Sequence, residues 1–221
     1  MTSEQIYEQF IVKINKNAQT DSVHCDRGRF VILYNEAQDK YLEHLLEQKN
    51  EDSIRYAENF VVSNQNLPVA SVVDDYTLFT IPTNYFDFIS LIAKASTDYC
   101  QNATIRDMVE TKLENIDLIL EDEFNSPSFD YRQAPFKIAN GQVIAYQKNF
   151  TYDSVLFTYY KYPQQIALVT PEDPESQFDN SKESEWDNKS NNRIIDSTAA
   201  RFFLNNDDAK YQATKIESIQ K

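Results

Sequence analysis

The stretch Asp26–Lys49, DRGRFVILYNEAQDKYLEHLLEQK, decides how the rest of the chain is read. Asp26 has the side chain of a good N-cap, and no proline follows it as far as Lys49. Phe30, Leu33, Ala37, Tyr41 and Leu45 recur every three or four residues, with Val31, Leu42 and Leu46 widening the stripe. That period lays one apolar face along a helix. Asn35, Glu36, Gln38, Asp39, Glu43 and Glu47 fill the other side. At 1.5 Å per residue the helix runs roughly 33 Å. Propensity alone contributes little to so long a helix, so its stripe needs partners along its length.

Partners are legible on both sides. Thr2–Ala18 reads as a helix opened by a Thr2/Gln5 capping box, with Ile6, Phe10, Ile11 and Ile14 on one face. Asp52–Val62 reads as a shorter helix. Near the C-terminus, Trp186, Ile194, Ile195, Ala199, Phe202 and Phe203 predict another, and Asp207–Ile219 a last one.

Between these lies a region of different character. Ser63–Pro68 reads as a linker, and Thr77–Ile81 as a strand stopped by Pro82. Tyr85–Ala95 reads as a strand, although Ile89 and Ala93 also fit a helix. Thr111 and Glu114 have capping-box spacing before Leu113, Ile116, Leu120 and Phe124, a short helix ended by Asn125-Ser-Pro. Asn140-Gly141 between Phe136–Ala139 and Gln142–Lys148 predicts a two-residue type I′ hairpin. Val155–Tyr162 is apolar or aromatic on both faces, which predicts a strand inside a sheet. Pro171–Glu185 reads as an acidic surface loop. The expectation is an α+β protein: a helical bundle from N- and C-terminal helices with an inserted antiparallel β-rich region. The segments are 1–66, 67–177 and 178–221.

Composition narrows the chemistry. Only Gly28 and Gly141 occur among 221 residues, which excludes glycine-rich phosphate loops. The net charge is −14 with Lys and Arg scattered, so a free-standing nucleic-acid binder is not expected. The same charge suits plain solubility, or a passage to which DNA must not adhere. Cys25 and Cys100 are too few for a disulfide framework, and free thiols are expected. Asn102, Asn149 and Asn188 fit the glycosylation pattern but follow no secretory signal, and are read as chance matches. No apolar run is long enough for a membrane span.

No constellation states a reaction. His24, Cys25 and Asp26 are adjacent on a loop and lack a second half-site, so a capped helix start is the better reading than a metal or nucleophile cluster. His44 falls beside the helix stripe. Glu121-Asp122-Glu123 and Asp74-Asp75 lack the spacing of a calcium loop and read as solvated faces. Tyr159, Tyr160 and Tyr162 offer stacking rings without a basic groove. No catalytic, cofactor-binding or metal-binding residue is assigned, and no enzyme activity is expected.

The order of the segments carries a resemblance. Leu33-Tyr-Asn-Glu-Ala37 lies on the long helix. Phe79-Thr-Ile-Pro-Thr-Asn-Tyr-Phe-Asp-Phe88, Phe124-Asn-Ser-Pro127 and Phe157-Thr-Tyr-Tyr-Lys-Tyr-Pro163 follow in turn. Arg193-Ile-Ile-Asp-Ser-Thr-Ala-Ala200 and Tyr211-Gln212 close the chain. This series resembles the head-to-tail adaptor, or ring, proteins of short-tailed double-stranded DNA phages. The low glycine and high Asn, Ile and Tyr content is similar to that of crAss-like phage proteins. One departure is that three residues rather than two separate Ile195 from Ala199. The resemblance implies a structural virion protein of the neck or tail, in a ring usually of twelve subunits below the portal protein. Such a ring extends the DNA channel and docks neighbouring tail proteins, with the DNA passing through unbound. It also implies that the C-terminal segment reaches the portal, which makes Trp186, Ile194, Ile195, Phe202, Phe203 and Tyr211 the candidate partner interface. Another tail or virion assembly protein, or a non-viral acidic interaction module, stands as the alternative.

Overall fold

The computed structural model describes residues 1–16, 23–111, 116–168 and 182–204. The chain divides into two compact units, one from Met1–Asn59 with Pro163–Lys221 and one from Phe60–Tyr162.

The first unit holds α1 (Ser3–Lys16), α2 (Arg27–Gln48), α3 (Glu51–Ala57) and, from near the other end of the chain, an α-helix at Asn188–Leu204. The capping box forms: Gln5 N–H reaches Thr2 Oγ1 at 3.2 Å, and Thr2 N–H reaches Gln5 Oε1 at 3.0 Å. Asp26 caps α2 by accepting from Arg29 N–H at 3.1 Å. Asn50 does the same for α3 through Ser53 N–H at 2.7 Å. Ile6, Phe10 and Ile14 are buried on α1, and Phe30, Leu33, Tyr34, Ala37, Leu42 and Leu45 on α2. Each Ile, Leu or Phe side chain among them contributes about 1.5–3 kcal/mol when fully buried. The polar face of α2 is less uniform than its sequence suggests. Gln38 is buried, donating to Asn35 Oδ1 and to the carbonyl of Gln164, whereas Ile32 is exposed. Asn35 also exchanges two hydrogen bonds with the backbone of Ile166, at 2.9 and 3.2 Å, so α2 carries an extended segment along its side.

The second unit opens after a single 3-10 turn at Glu58–Phe60. Its strands are β1 (Val61–Asn66), β2 (Val69–Val73), β3 (Tyr76–Thr80), β4 (Tyr85–Ser96), β5 (Ala103–Ile105), β6 (Asp107–Glu110), β7 (Gln133–Ala139), β8 (Gln142–Tyr146) and β9 (Thr151–Lys161). The short helix α4 (Ile116–Glu121) lies between β6 and β7, and the helix at Asn188–Leu204 is therefore α5. One sheet has the order β1-β9-β4-β5, the other β2-β3-β8-β7-β6. Every pairing is antiparallel except β6 with β7, which is parallel. The sheets share one core. Leu91, Ala93, Val155, Phe157 and Tyr159 come from the first, and Phe79, Phe136, Val143 and Ala145 from the second. At the tip of the β7–β8 hairpin Asn140 has φ 52° and Gly141 φ 71°, the two positive values a type I′ turn requires. β9 lies inside its sheet, flanked by β1 and β4.

This architecture corrects the expected helical bundle with an antiparallel β insertion. Helix takes 38 % and strand 34 % of the described residues, so neither is an appendage of the other. The β part is two sheets around their own core, one of them with a parallel edge. The misreading began at Val61–Asn66. Val61 and Val62 continue an apolar helical pattern in sequence, and the polar residues after them read as a linker. The segment instead pairs with β9, its register shifting where Asn64 takes φ 54°. The expected Thr111/Glu114 capping box and the Asp207–Ile219 helix fall partly or wholly outside the described residues.

Candidate functional site

The apolar residues expected to face a partner are in the core instead. Ile194, Ile195, Phe202 and Phe203 are buried on α5, and Trp186, just before it, is buried too. Phe202 meets Phe10 of α1 edge to face at 5.9 Å, and Trp186 meets Tyr41 of α2 at 5.2 Å. Their stripe holds α5 against α1 and α2, which leaves no apolar face of theirs for a second protein. Tyr211 lies outside the described residues. An apolar stripe in sequence does not reveal whether it faces its own chain or another, and here its own chain covers it.

The remaining sequence candidates resolve in the same direction. Cys25 is buried, and burial pushes its thiol up to about 11 against the opposing pull of the Arg29 charge. A thiol so placed stays protonated at neutral pH and is a poor nucleophile or metal ligand. Asp26 is occupied as a cap and His44 is exposed beside Gln48. Asp122 accepts from Phe124 N–H and from Asn125 Nδ2, which lower its carboxyl below the usual range with Asn125 the larger cause. Gln147 ties the Asp74-Asp75 turn down through its backbone. Tyr159 is buried with its hydroxyl 2.8 Å from Gln65 Oε1 and 2.9 Å from Asn84 Oδ1. It cannot stack with a base. Among the described residues no group of three or more His, Cys, Asp or Glu side chains could hold a metal ion. No helix among them is long and apolar enough to cross a membrane.

Two surface features of the second unit remain. The first is the rim of the five-stranded sheet. β2, at one end of the strand order, is exposed at all five residues, with Val72 at 63 %. β6, at the other end, is exposed at Asp107, Val109 and Glu110. Among the described residues no strand pairs with the outer side of either. Unpaired edges with apolar side chains are ready-made templates for another strand.

The second feature is a cleft of about 500 Å³ where the end of α4, the turn after it and the loop following β8 converge. Tyr99 and Phe129 supply aromatic walls, Glu121, Glu123 and Asp130 carboxylates, and Lys148 the one cation among its lining residues. Tyr99 donates to Asp130 Oδ1 at 3.2 Å and meets Phe129 edge to face at 5.9 Å. Behind this pair the Arg132 guanidinium lies 4.3 Å from the Phe129 ring, with Arg132 itself at φ 57°. No local pattern marks this cleft, because Tyr99, Glu121 and Lys148 are far apart in the chain. No protein-family model matches the chain, and no curated protein is similar enough to count as a relative.

Proposed function

We propose that the chain is a structural virion protein of a tailed phage, a ring-forming adaptor below the portal that extends the DNA channel and docks tail components. The order of sequence segments suggests it. The observation that carries it is the five-stranded sheet, to whose outer edges no strand among the described residues pairs, with β2 exposed at all five residues. Pairing β2 of one copy with β6 of the next is a heterologous contact, and such contacts close into rings when the rotation allows. A two-fold dimer through one edge would leave the other unpaired. The net charge of −14 fits a channel wall that DNA slides past, since carboxylates repel phosphates.

Quantitative mass spectrometry of purified virions tests the reading. One copy per portal subunit is expected. Absence from virions, or a copy number unrelated to the portal's, removes it. Val72→Lys, a charge placed on an already exposed strand, should leave the monomer folded and abolish ring formation in native mass spectrometry. The second reading, a non-viral acidic interaction module, is favoured by the carboxylate-lined cleft, and it predicts absence from virions and a monomer in native mass spectrometry.

A further inference from the structure

The two outer strands of the five-stranded sheet run in opposite directions. Along the order β2-β3-β8-β7-β6 the first three junctions are antiparallel and the last is parallel, which leaves β6 antiparallel to β2. A rotation that closes a ring of many copies turns each sheet only slightly from the one before. In such a ring β6 of one copy therefore meets β2 of the next antiparallel, the more stable way for two strands to pair.

The pairings within the sheet select a register. One row crosses it completely: Val72, Thr77, Ala145, Phe136 and Glu110 are successive partners. A neighbour that continued this row unshifted would set Glu110 against Val72 and Asp107 against Asp75, an acid on an apolar residue and two like charges. A shift of one residue would turn one edge's side chains to the opposite face. A shift of two, in the sense that increases the overlap, keeps the faces and sets Met108 against Val72 and Asp107 against Val73. Val72 shares its face with the core residues Ala145 and Phe136, yet it is 63 % exposed, and Met108 opposite would cover it. The same shift brings Arg106, just before β6, opposite Asp74, just after β2. Arg106, Asp74 and Asp75 are exposed, and among the described residues none of them is in an ion pair. Within one chain Arg106 and Asp74 are too far apart to pair, because four strand spacings of about 4.8 Å separate the two edges by roughly 19 Å. A parallel joint would instead crowd Glu110 against Asp74. We propose that copies of this chain join by antiparallel pairing of β2 with β6, in the register that sets Arg106 of one copy against Asp74 of the next. The proposal rests on the ring reading and adds the direction, the register and the charge pair that make the joint specific.

Native mass spectrometry of the full chain tests this with two variants that should fail alone and assemble together. Arg106→Glu sets a carboxylate against Asp74 and Asp75 at every joint. Asp74→Arg with Asp75→Asn sets a second cation against Arg106. All three positions are exposed, and the hydrogen bonds from Gln147 to the Asp74-Asp75 turn use its backbone, so both variants should melt like the wild type. Turning an attractive cross-strand pair into a repulsive one should weaken each joint on the order of tenfold, and a ring repeats the loss at every joint. Each variant alone should stay monomeric at a concentration where the wild type assembles. An equal mixture should assemble, because every joint between the two variants pairs opposite charges, and its rings should hold both in equal numbers. Glu123→Arg, a charge reversal away from both edges, should assemble like the wild type. The proposal is overturned, with the ring reading intact, if the wild type assembles and either variant alone does too, if the mixture stays monomeric, or if Glu123→Arg also fails. A wild type that stays monomeric removes the ring reading and this proposal with it.

Discussion

Asn191 is the buried polar hub of the helical unit, and its removal is expected to cost far more than removal of any one group bonded to it. Asn191 and Tyr34 are fully buried. The Tyr34 hydroxyl donates to Asn191 Oδ1 at 2.5 Å, Ser184 Oγ donates to the same oxygen at 2.8 Å, and Asn191 Nδ2 donates to the Trp186 carbonyl at 3.0 Å. In Tyr34→Phe the asparagine keeps Ser184 and Trp186, so the cost is that of one hydrogen bond, about 1 kcal/mol. In Asn191→Ala the tyrosine hydroxyl keeps only a 3.4 Å approach to Ser184, and the Trp186 carbonyl loses its donor. An orphaned buried group costs about 1–3 kcal/mol, so with the small cavity the total is about 3 kcal/mol. In the double variant the orphaned hydroxyl is gone, and the two changes should fall short of additivity by about 1 kcal/mol. The chain has one tryptophan, Trp186, buried next to this hub, so its fluorescence in urea reports this unit alone. The midpoint of Asn191→Ala should drop by about 1–2 M urea. If Asn191→Ala cost no more than Tyr34→Phe, or if the two costs simply added, the network would not be the hub the distances describe.

Two further predictions concern pH and the hairpin. Burial pushes the Tyr34 phenol up to about 12, the Ser184 hydrogen bond opposing it, whereas the unfolded phenol ionises near 10. The folded state therefore holds its proton longer. The stability this gives is complete below pH 10 and falls by about 3 kcal/mol between pH 10 and 12. Tyr34→Phe should flatten that decline in the Trp186 signal, and an unchanged slope would refute the assignment. Gly141→Ala places a Cβ in open space but at φ 71°, so it should cost about 1 kcal/mol through backbone strain alone. Asn140→Gly should be close to neutral, and amide exchange in β7 and β8 reads both.

Much of the fold was legible where local chemistry fixes it. Asp26 before a 3.6-residue stripe, the Thr2/Gln5 box and Asn140-Gly141 each satisfy backbone groups within a few residues, and each formed as read. β9 was legible as an internal strand because both of its faces are apolar. What failed depends on partners distant in sequence. Val61–Asn66 has Ser63, Asn64, Gln65 and Asn66 at positions that read as a loop. It is a strand because β9 offers it a ladder and Tyr159 offers Gln65 a hydrogen bond. β5 and β6 are three and four residues long, too short for a pattern, and the parallel β6–β7 register exists only once the sheet is assembled.

The surfaces were less legible than the core for a physical reason. A buried side chain advertises itself through periodicity, because its neighbours along the element alternate in and out of water. A docking surface assembled from separate turns has no period. Tyr99 sits after β4, and Phe124 and Tyr131 lie with Phe129 in the one segment between α4 and β7, where their spacing follows no period. Their exposure departs from what loops need, since a turn is stabilised by its Asn, Asp and Ser residues and gains nothing from an aromatic ring held in water. The same contrast separates the two apolar sets of this chain. Phe202 and Phe203, expected at an interface, are buried against their own chain, while Phe124, expected on the apolar side of a short helix, and Tyr131 are exposed. Exposure of an apolar side chain without a local structural reason, rather than apolarity itself, is therefore what sets these residues apart from the core.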